Sequence, residues 1–194
     1  MNNIIEIKRK EFEILEQIGE RSYKAKRKDQ LYFIKKYDND IAGFERFVEA
    51  EHRLRVSGVT NPKCYLYDKK LRIAIIEYIE GETCFDVLRN GSLEEPIIEL
   101  IFKTFWYARN DRLALDYSPI NFVYTNGKLY YLPFKCEKFV SNESFIQKDI
   151  RLWFFTKEFI QYCHSLSISV DVSHLKSDYE TNKNIALMTV KYYR

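Results

Sequence analysis

The stretch "LDYSPINFVYTNGKLYYLPF", residues 115–134, sets Asp116 and Asn121 five positions apart in a polar loop. Two short apolar segments follow around Asn126-Gly127, the dipeptide whose backbone twist matches that of paired strands, so a hairpin is predicted. The second strand runs into Leu132-Pro133-Phe134, where the proline stops it. Asp116 suits the cap of a turn in "DYSPIN", a frequent use of aspartate.

Working outward, "IIELIFKTFWYA" before the loop is apolar around most of its circumference and reads as a buried helix. Ser92 and Glu95 are spaced as a capping box for it, and Pro96 falls in its first turns. After the hairpin, "ESFIQKDIRLWFFTKEFIQYCHSL" reads as one long amphipathic helix. The last stretch, through "SHLKSDYETNK" and "ALMTVKYYR", carries no clear pattern.

Toward the N-terminus, residues 12–37 alternate in short apolar runs, "FEILEQIG", "SYKAKRK" and "LYFIKKY", with a turn near Asp29-Gln30. Three antiparallel strands are predicted. Ile41, Phe44, Phe47, Val48 and Leu54 then fall at helical spacing, with Asp40 as cap and Gly58 beyond the end. "KCYLYD" and "LRIAIIEYI" add two strands around Asp68-Lys69-Lys70, and Glu80-Gly81-Glu82 is the natural linker.

The chain has 194 residues, 46% hydrophobic and 30% charged, enough apolar material for a buried core and against a disordered chain. A net charge of +3 is too small to argue for nucleic acid or an anionic membrane by itself. Cys64, Cys84, Cys136 and Cys163 are widely separated and form no C-x-x-C pair, so reduced thiols in a cytoplasm are expected. The N-terminus lacks the apolar run of a signal peptide, and no window is long and apolar enough to span a bilayer. His52, His164 and His174 pair with no cysteine at ligand spacing, and hydrolase and P-loop motifs have no match.

Five strands with one inserted helix, a linker, then a helical half whose polar loop precedes a hairpin: this order resembles the protein-kinase-like superfamily over about residues 12–165. It is most similar to the compact group of the KEOPS-complex kinase, the RIO kinases and the lipopolysaccharide core kinases. "VEAEHRLRVSGVTNP" from Val48 and "IEYIEG" from Ile76 carry the likeness. The resemblance implies an α+β, two-lobed fold: an N-lobe over 1–80 with a five-stranded antiparallel sheet and one helix, and a small, mainly helical C-lobe over 81–194.

It also implies a site. Lys35 takes the place of the lysine that holds the α- and β-phosphates, and Glu49 that of the helix glutamate orienting it. Read from spacing alone, Lys35 is equally a strand-end lysine in water and Glu49 the partner of Arg53 one turn on. Only Gly19 survives of the glycine-rich loop, with Arg21 and Lys24 at the other glycine positions. Ile76, Glu77 and Ile79 stand at the adenine edge, where backbone groups bond the base.

Asp116 matches the catalytic aspartate that accepts the substrate proton, and Asn121 the asparagine that helps hold magnesium. Ala114 and Leu115 replace the histidine and the residue before that aspartate. Pro133 replaces the metal-binding aspartate and Lys135 the following glycine; Glu137 and Glu143 are the nearest carboxylates to substitute. Asp149 resembles the aspartate that braces the catalytic loop from beneath. A proline cannot ligate a cation and Lys135 would repel one, so ordinary magnesium-dependent transfer is not expected.

The resemblance therefore implies a pseudokinase: ATP bound weakly or not at all, magnesium absent or held atypically, Asp116 and Asn121 vestigial, and a protein partner for an interaction or regulatory role. The alternative is an active ATP-dependent phosphotransferase on a protein, saccharide or small hydroxyl substrate, with an atypical metal site. RNA contact through "RSYKAKRK", residues 21–28, and the terminal "KYYR" is a third reading.

Overall fold

Apolar–polar alternation in the first eighty residues forms an antiparallel sheet, and helical spacing dominates after them, so the fold is α+β. The structure, a computed structural model, describes residues 4–91, 93–140 and 145–193. Contacts divide the chain into two units: one runs to Arg53 and resumes over Pro62–Ile79, and the other comprises Leu54–Asn61 and the chain from Glu80 onward.

The first unit contains β1 (Ile4–Ile7), β2 (Lys10–Gly19), β3 (Ser22–Arg27), β4 (Gln30–Lys36), β5 (Cys64–Asp68) and β6 (Ile73–Glu77), in the order β1-β2-β3-β4-β6-β5. The sheet therefore has six strands, not the five expected. The additional strand, β1, pairs with β2 from Ile4↔Glu13 to Ile7↔Lys10. Its turn was hidden because Lys8 and Arg9, with φ of 50° and 62°, sit where Asn-Gly would normally mark a tight hairpin. The sheet curls: Lys8 Nζ, beside the first strand, donates to Tyr67 O on the last at 3.3 Å.

Inside the curl, Ile7, Ile34 and Ile75 are fully buried with Phe12 and Tyr32, whose rings meet edge to face at 5.2 Å. The opposite face carries α1 (Ile41–Val56), started by Asp40, whose Oδ1 accepts from Gly43 N at 2.8 Å. Phe44 and Phe47 of α1 pack on the rings of Tyr37 and Tyr67.

The second unit contains α2 (Cys84–Arg89), α3 (Glu95–Asn110), β7 (Leu113–Ala114), β8 (Phe122–Thr125), β9 (Lys128–Tyr131), β10 (Glu137–Lys138), α4 (Lys157–Ser165) and α5 (Asp178–Tyr192). Asn126 and Gly127, at φ of 51° and 72°, make the β8–β9 hairpin turn read from the sequence. β10 returns to pair with β7. In the linker, Gly81 has a φ of +144° and a Cβ there would lie 2.9 Å from Val123 Cγ1, so both conformation and contact demand glycine. Ile101, Phe102 and Phe105 of α3 pack into an aromatic core with Tyr117, Phe122, Phe145 and Trp153.

Three local expectations change. The residue capping α3 is Glu94, without a side-chain cap bond, and Ser92 lies outside the described residues. The single long helix after the hairpin is a 3-10 turn, Ile150–Trp153, an extended Phe154 and then α4. Thr156 causes the break: its hydroxyl donates to Arg151 O at 2.9 Å and accepts from Phe159 N at 3.0 Å, starting a new helix. The unassigned C-terminal stretch forms α5, started by a capping box between Ser177 and Glu180. Among the described residues no helix is long and apolar enough to cross a membrane.

Candidate functional site

Two groups of candidate residues lie in different units, and each is built separately. In the first unit, pairing of β3, β4 and β6 aligns Ser22 with Lys35 and Ala74, and Lys24 with Phe33 and Ile76, so these six side chains share the face that α1 covers in part. Lys35 is half-buried, and its Nζ donates to Ser22 Oγ at 3.2 Å. Ile76 is buried beside it in the next strand.

Glu49 does not meet Lys35. It lies on the outer side of α1, two residues past Phe47, and its carboxylate is bonded to Arg53. Glu51 is the acid that faces inward: it stands four residues after Phe47 and three before Leu54, and is only 8% exposed. The helical phase of Phe44, Phe47 and Leu54 already distinguishes the two glutamates, a signal that the likeness of "VEAE" to a kinase motif obscured.

Gly19 is the last residue of β2 and pairs with Ser22, leaving a tight turn of Glu20 and Arg21. Arg21 is drawn to Asp38, with Nε 3.5 Å from Oδ2, and Lys24 sits 4.6 Å over the Tyr78 ring. Glu77 exchanges bonds with Lys63: its N–H donates to Lys63 O at 2.8 Å and its Oε2 accepts from Lys63 N at 3.0 Å. Ile79 follows, half-buried and outside the ladder.

In the second unit, the loop from Leu115 ends in a 3-10 turn, Pro119–Asn121, that feeds β8. Asp116 Oδ1 accepts from Ser118 N at 3.1 Å and from Ser118 Oγ at 2.6 Å, so the aspartate caps its own turn. Asn121 Nδ2 donates to Asp116 O at 3.2 Å, which joins the two residues read as a pair. Trp153 Nε1 donates to Tyr117 O at 2.7 Å in a buried bond. The loop is thus braced from the core by an indole, the part Asp149 was expected to play.

Asp149 nonetheless belongs to this neighbourhood. Burial pushes its carboxyl up to about 6; the Lys148 charge opposes that rise and the Asp116 charge adds to it. Tyr117, 3% exposed, has a buried hydroxyl with no hydrogen-bond partner among the described residues, and burial, with Tyr131 and Asp149 adding, pushes that phenol far above its ordinary value. Tyr131 OH donates to Lys135 O at 2.8 Å, tying β9 to the segment that follows it. Tyr162 of α4 is a third tyrosine around the loop; burial raises its phenol, with Ser118 opposing the rise and the Asp116 charge adding to it.

Pro133 follows β9 as read, with no side-chain donor for a metal. Lys135 Nζ lies 3.9 Å from Glu137 Oε1, both exposed; Glu143 lies outside the described residues. Proline and a nearby ammonium are a poor donor set for magnesium, which asks for oxygen ligands. A cavity of about 580 Å³ also lies in this unit, between α2, α3, α5 and Phe154-Phe155, and none of the sequence-derived candidates lines it.

No protein-family model matches the chain, and no curated protein matches it.

Proposed function

We propose that this chain is a kinase-like module that has lost ordinary metal-dependent phosphoryl transfer and serves as an interaction or regulatory module, binding nucleotide weakly or not at all. The observation that carries the reading is the loop of the second unit: Asn121 is hydrogen-bonded to the carbonyl of Asp116, while the second strand of the hairpin is followed by Leu132 and Pro133. The order of elements supports it from the other unit, since the strand bearing Lys35 precedes α1 and two more strands follow before the linker.

The loss of transfer follows from charge. Phosphoryl transfer rests on positioning and on neutralising the triphosphate, so removing the principal metal ligand costs more than the ~100- to 1000-fold seen when one transition-state donor is lost. Glu49 bonded to Arg53 leaves Lys35 without the carboxylate that would orient it toward phosphate. Arg21 and Lys24, at the other two glycine positions, put side chains where backbone amides would approach phosphate.

Thermal stability against ATP, ADP and AMP, with and without magnesium, tests this on the native chain and on Pro133→Asp. The native chain is expected to show no magnesium-dependent stabilisation. Pro133→Asp is expected to gain it, approaching about 2.7 kcal/mol at a hundred times the dissociation constant. Magnesium-dependent ATP binding by the native chain, with phosphate appearing on a substrate or on the chain itself, would establish the active phosphotransferase instead.

A further inference from the structure

Two turns of the curled sheet meet although 59 residues separate Lys8 from Tyr67, whose carbonyl accepts the Lys8 Nζ bond at 3.3 Å. Asp68 follows immediately, its Oδ1 accepting from Lys70 N at 2.8 Å and Leu71 N at 2.9 Å. Those backbone bonds, chiefly from Leu71, hold the Asp68 carboxyl below the usual range, and the charges of Lys8 and Lys70 add to the effect. One carboxylate therefore lies between cations from two hairpins.

The charge gathered here is large for this chain. Residues 8–10 and 68–72 hold six cations, Lys8, Arg9, Lys10, Lys69, Lys70 and Arg72, against Asp68 alone. That leaves +5 on eight residues, so with +3 for the whole chain the remaining residues sum to −2. Among the described residues the side chains of Arg9, Lys10 and Lys69 have no ion pair or hydrogen bond.

The basic stretches conspicuous in the sequence are in part engaged elsewhere. Arg21 is beside Asp38, Lys24 lies over Tyr78, and Lys26 is opposite Glu13. At the C-terminus Lys191 is bonded to Glu95 and Arg109 to Tyr193. Arg27 and Lys28 also have no ion pair among the described residues, but Asp29 follows them directly, so the two turns hold the larger net charge.

Turn stability does not account for them. Lys8 and Arg9 both adopt left-handed φ, 50° and 62°, where asparagine and glycine are the favoured residues. A side chain with a Cβ costs about 1–2 kcal/mol in that region. Two long cations occupy a turn where Asn-Gly would be more stable.

We propose that the paired turns, Lys8–Lys10 and Lys69–Lys70, form a docking surface for the phosphate backbone of a nucleic-acid duplex, bound by charge and without regard to base sequence. Tyr67 is the aromatic residue between them, and it packs on Phe44 and Phe47, so it offers no face for stacking an unpaired base. Leu71 is the one exposed apolar side chain in the turns, too little for the apolar insertion that firm bilayer binding adds to charge. Closely spaced, flexible cations match a backbone that carries a charge every few ångströms.

The test is fluorescence anisotropy of the full chain with scrambled RNA and DNA duplexes of about 20 base pairs, between about 50 and 200 mM salt. With about four phosphates neutralised, affinity should fall about 100-fold across that range whatever the sequence. Lys8→Asn with Arg9→Gly should lower the log–log salt slope by about 2 and weaken binding at least tenfold, while thermal stability holds or rises. Removing the same charge elsewhere, with Lys128→Gln and Lys183→Gln, should change neither. Absence of duplex binding at the lowest salt would overturn the proposal, as would an unaltered slope in the double variant or binding only to vesicles rich in phosphatidylserine. The outcome is independent of whether the chain binds nucleotide.

Discussion

The first unit holds its chemistry-bearing side chains loosely, and the second holds its candidate loop by the backbone. Lys35 has one hydrogen-bond partner, Ser22, and Glu49 has one ion-pair partner, Arg53, itself exposed. The Asp116–Asn121 loop is fastened by Ser118, by the Asn121 amide, by the Trp153 indole and by the aromatic core around Tyr117. A strand ladder fixes where β4 runs but leaves each of its lysine ends a single neighbour, Ser22 for Lys35 and the Tyr23 ring for Lys36. Aromatic packing fixes a loop that has no ladder. Substitutions in the second unit should therefore act on stability, and those at Lys35 and Glu49 should leave it nearly unchanged.

The strongest way to break that contrast is Trp153→Ala, expected to cost about 3–5 kcal/mol in urea unfolding because it empties a fully buried site and frees Tyr117 O. Trp153→Phe retains most of the packing and should cost about 1–2 kcal/mol for the lost donor. No loss in Trp153→Phe would show that the bond does nothing and that packing alone holds the loop; equal losses in the two variants would show the reverse.

Asp149 sharpens the comparison through pH. Its carboxyl is raised to about 6, chiefly by burial, so the folded state binds the proton more tightly than the unfolded chain does. Stability from this group is greatest below about pH 4 and is lost as pH rises through 6. Asp149→Asn should thus stabilise by about 1–2 kcal/mol at pH 7, allowing for partial solvent screening, and by nothing near pH 4. A constant difference from pH 4 to 7 would exclude Asp149 as its source.

The smallest effect is expected at Glu49. Glu49→Gln removes an exposed ion pair one helical turn long and should change stability by less than about 0.5 kcal/mol. A loss several times larger would mean that Glu49 is held by more than Arg53 and that the exterior of α1 is not a solvated face.

The sequence made much of this legible where the signal was local. Asn126-Gly127 announced the β8–β9 hairpin, Asp40 and the spacing of Phe44, Phe47 and Leu54 announced α1, and Gly81 marked the linker. The failures were also local, in a different sense. The first strand was missed because Lys8-Arg9 lacks turn chemistry, and the α4 break because Trp153, Phe154 and Phe159 keep an apolar pattern across it. The S-x-x-E spacing was read at Ser92, where the structure begins α3 from Glu94, and passed over at Ser177, where it forms a capping box.

By itself the sequence determined β2 to β6, α1, α3, the β8–β9 hairpin and the spacing of Asp116 and Asn121, because alternation, helical period and turn residues act over a few neighbours. Only the tertiary structure decided that an indole braces the candidate loop and that two basic turns distant in the chain share one carboxylate. Those outcomes depend on which aromatic ring fills the core and on how far the sheet curls. Each is settled by packing between segments that no local pattern connects.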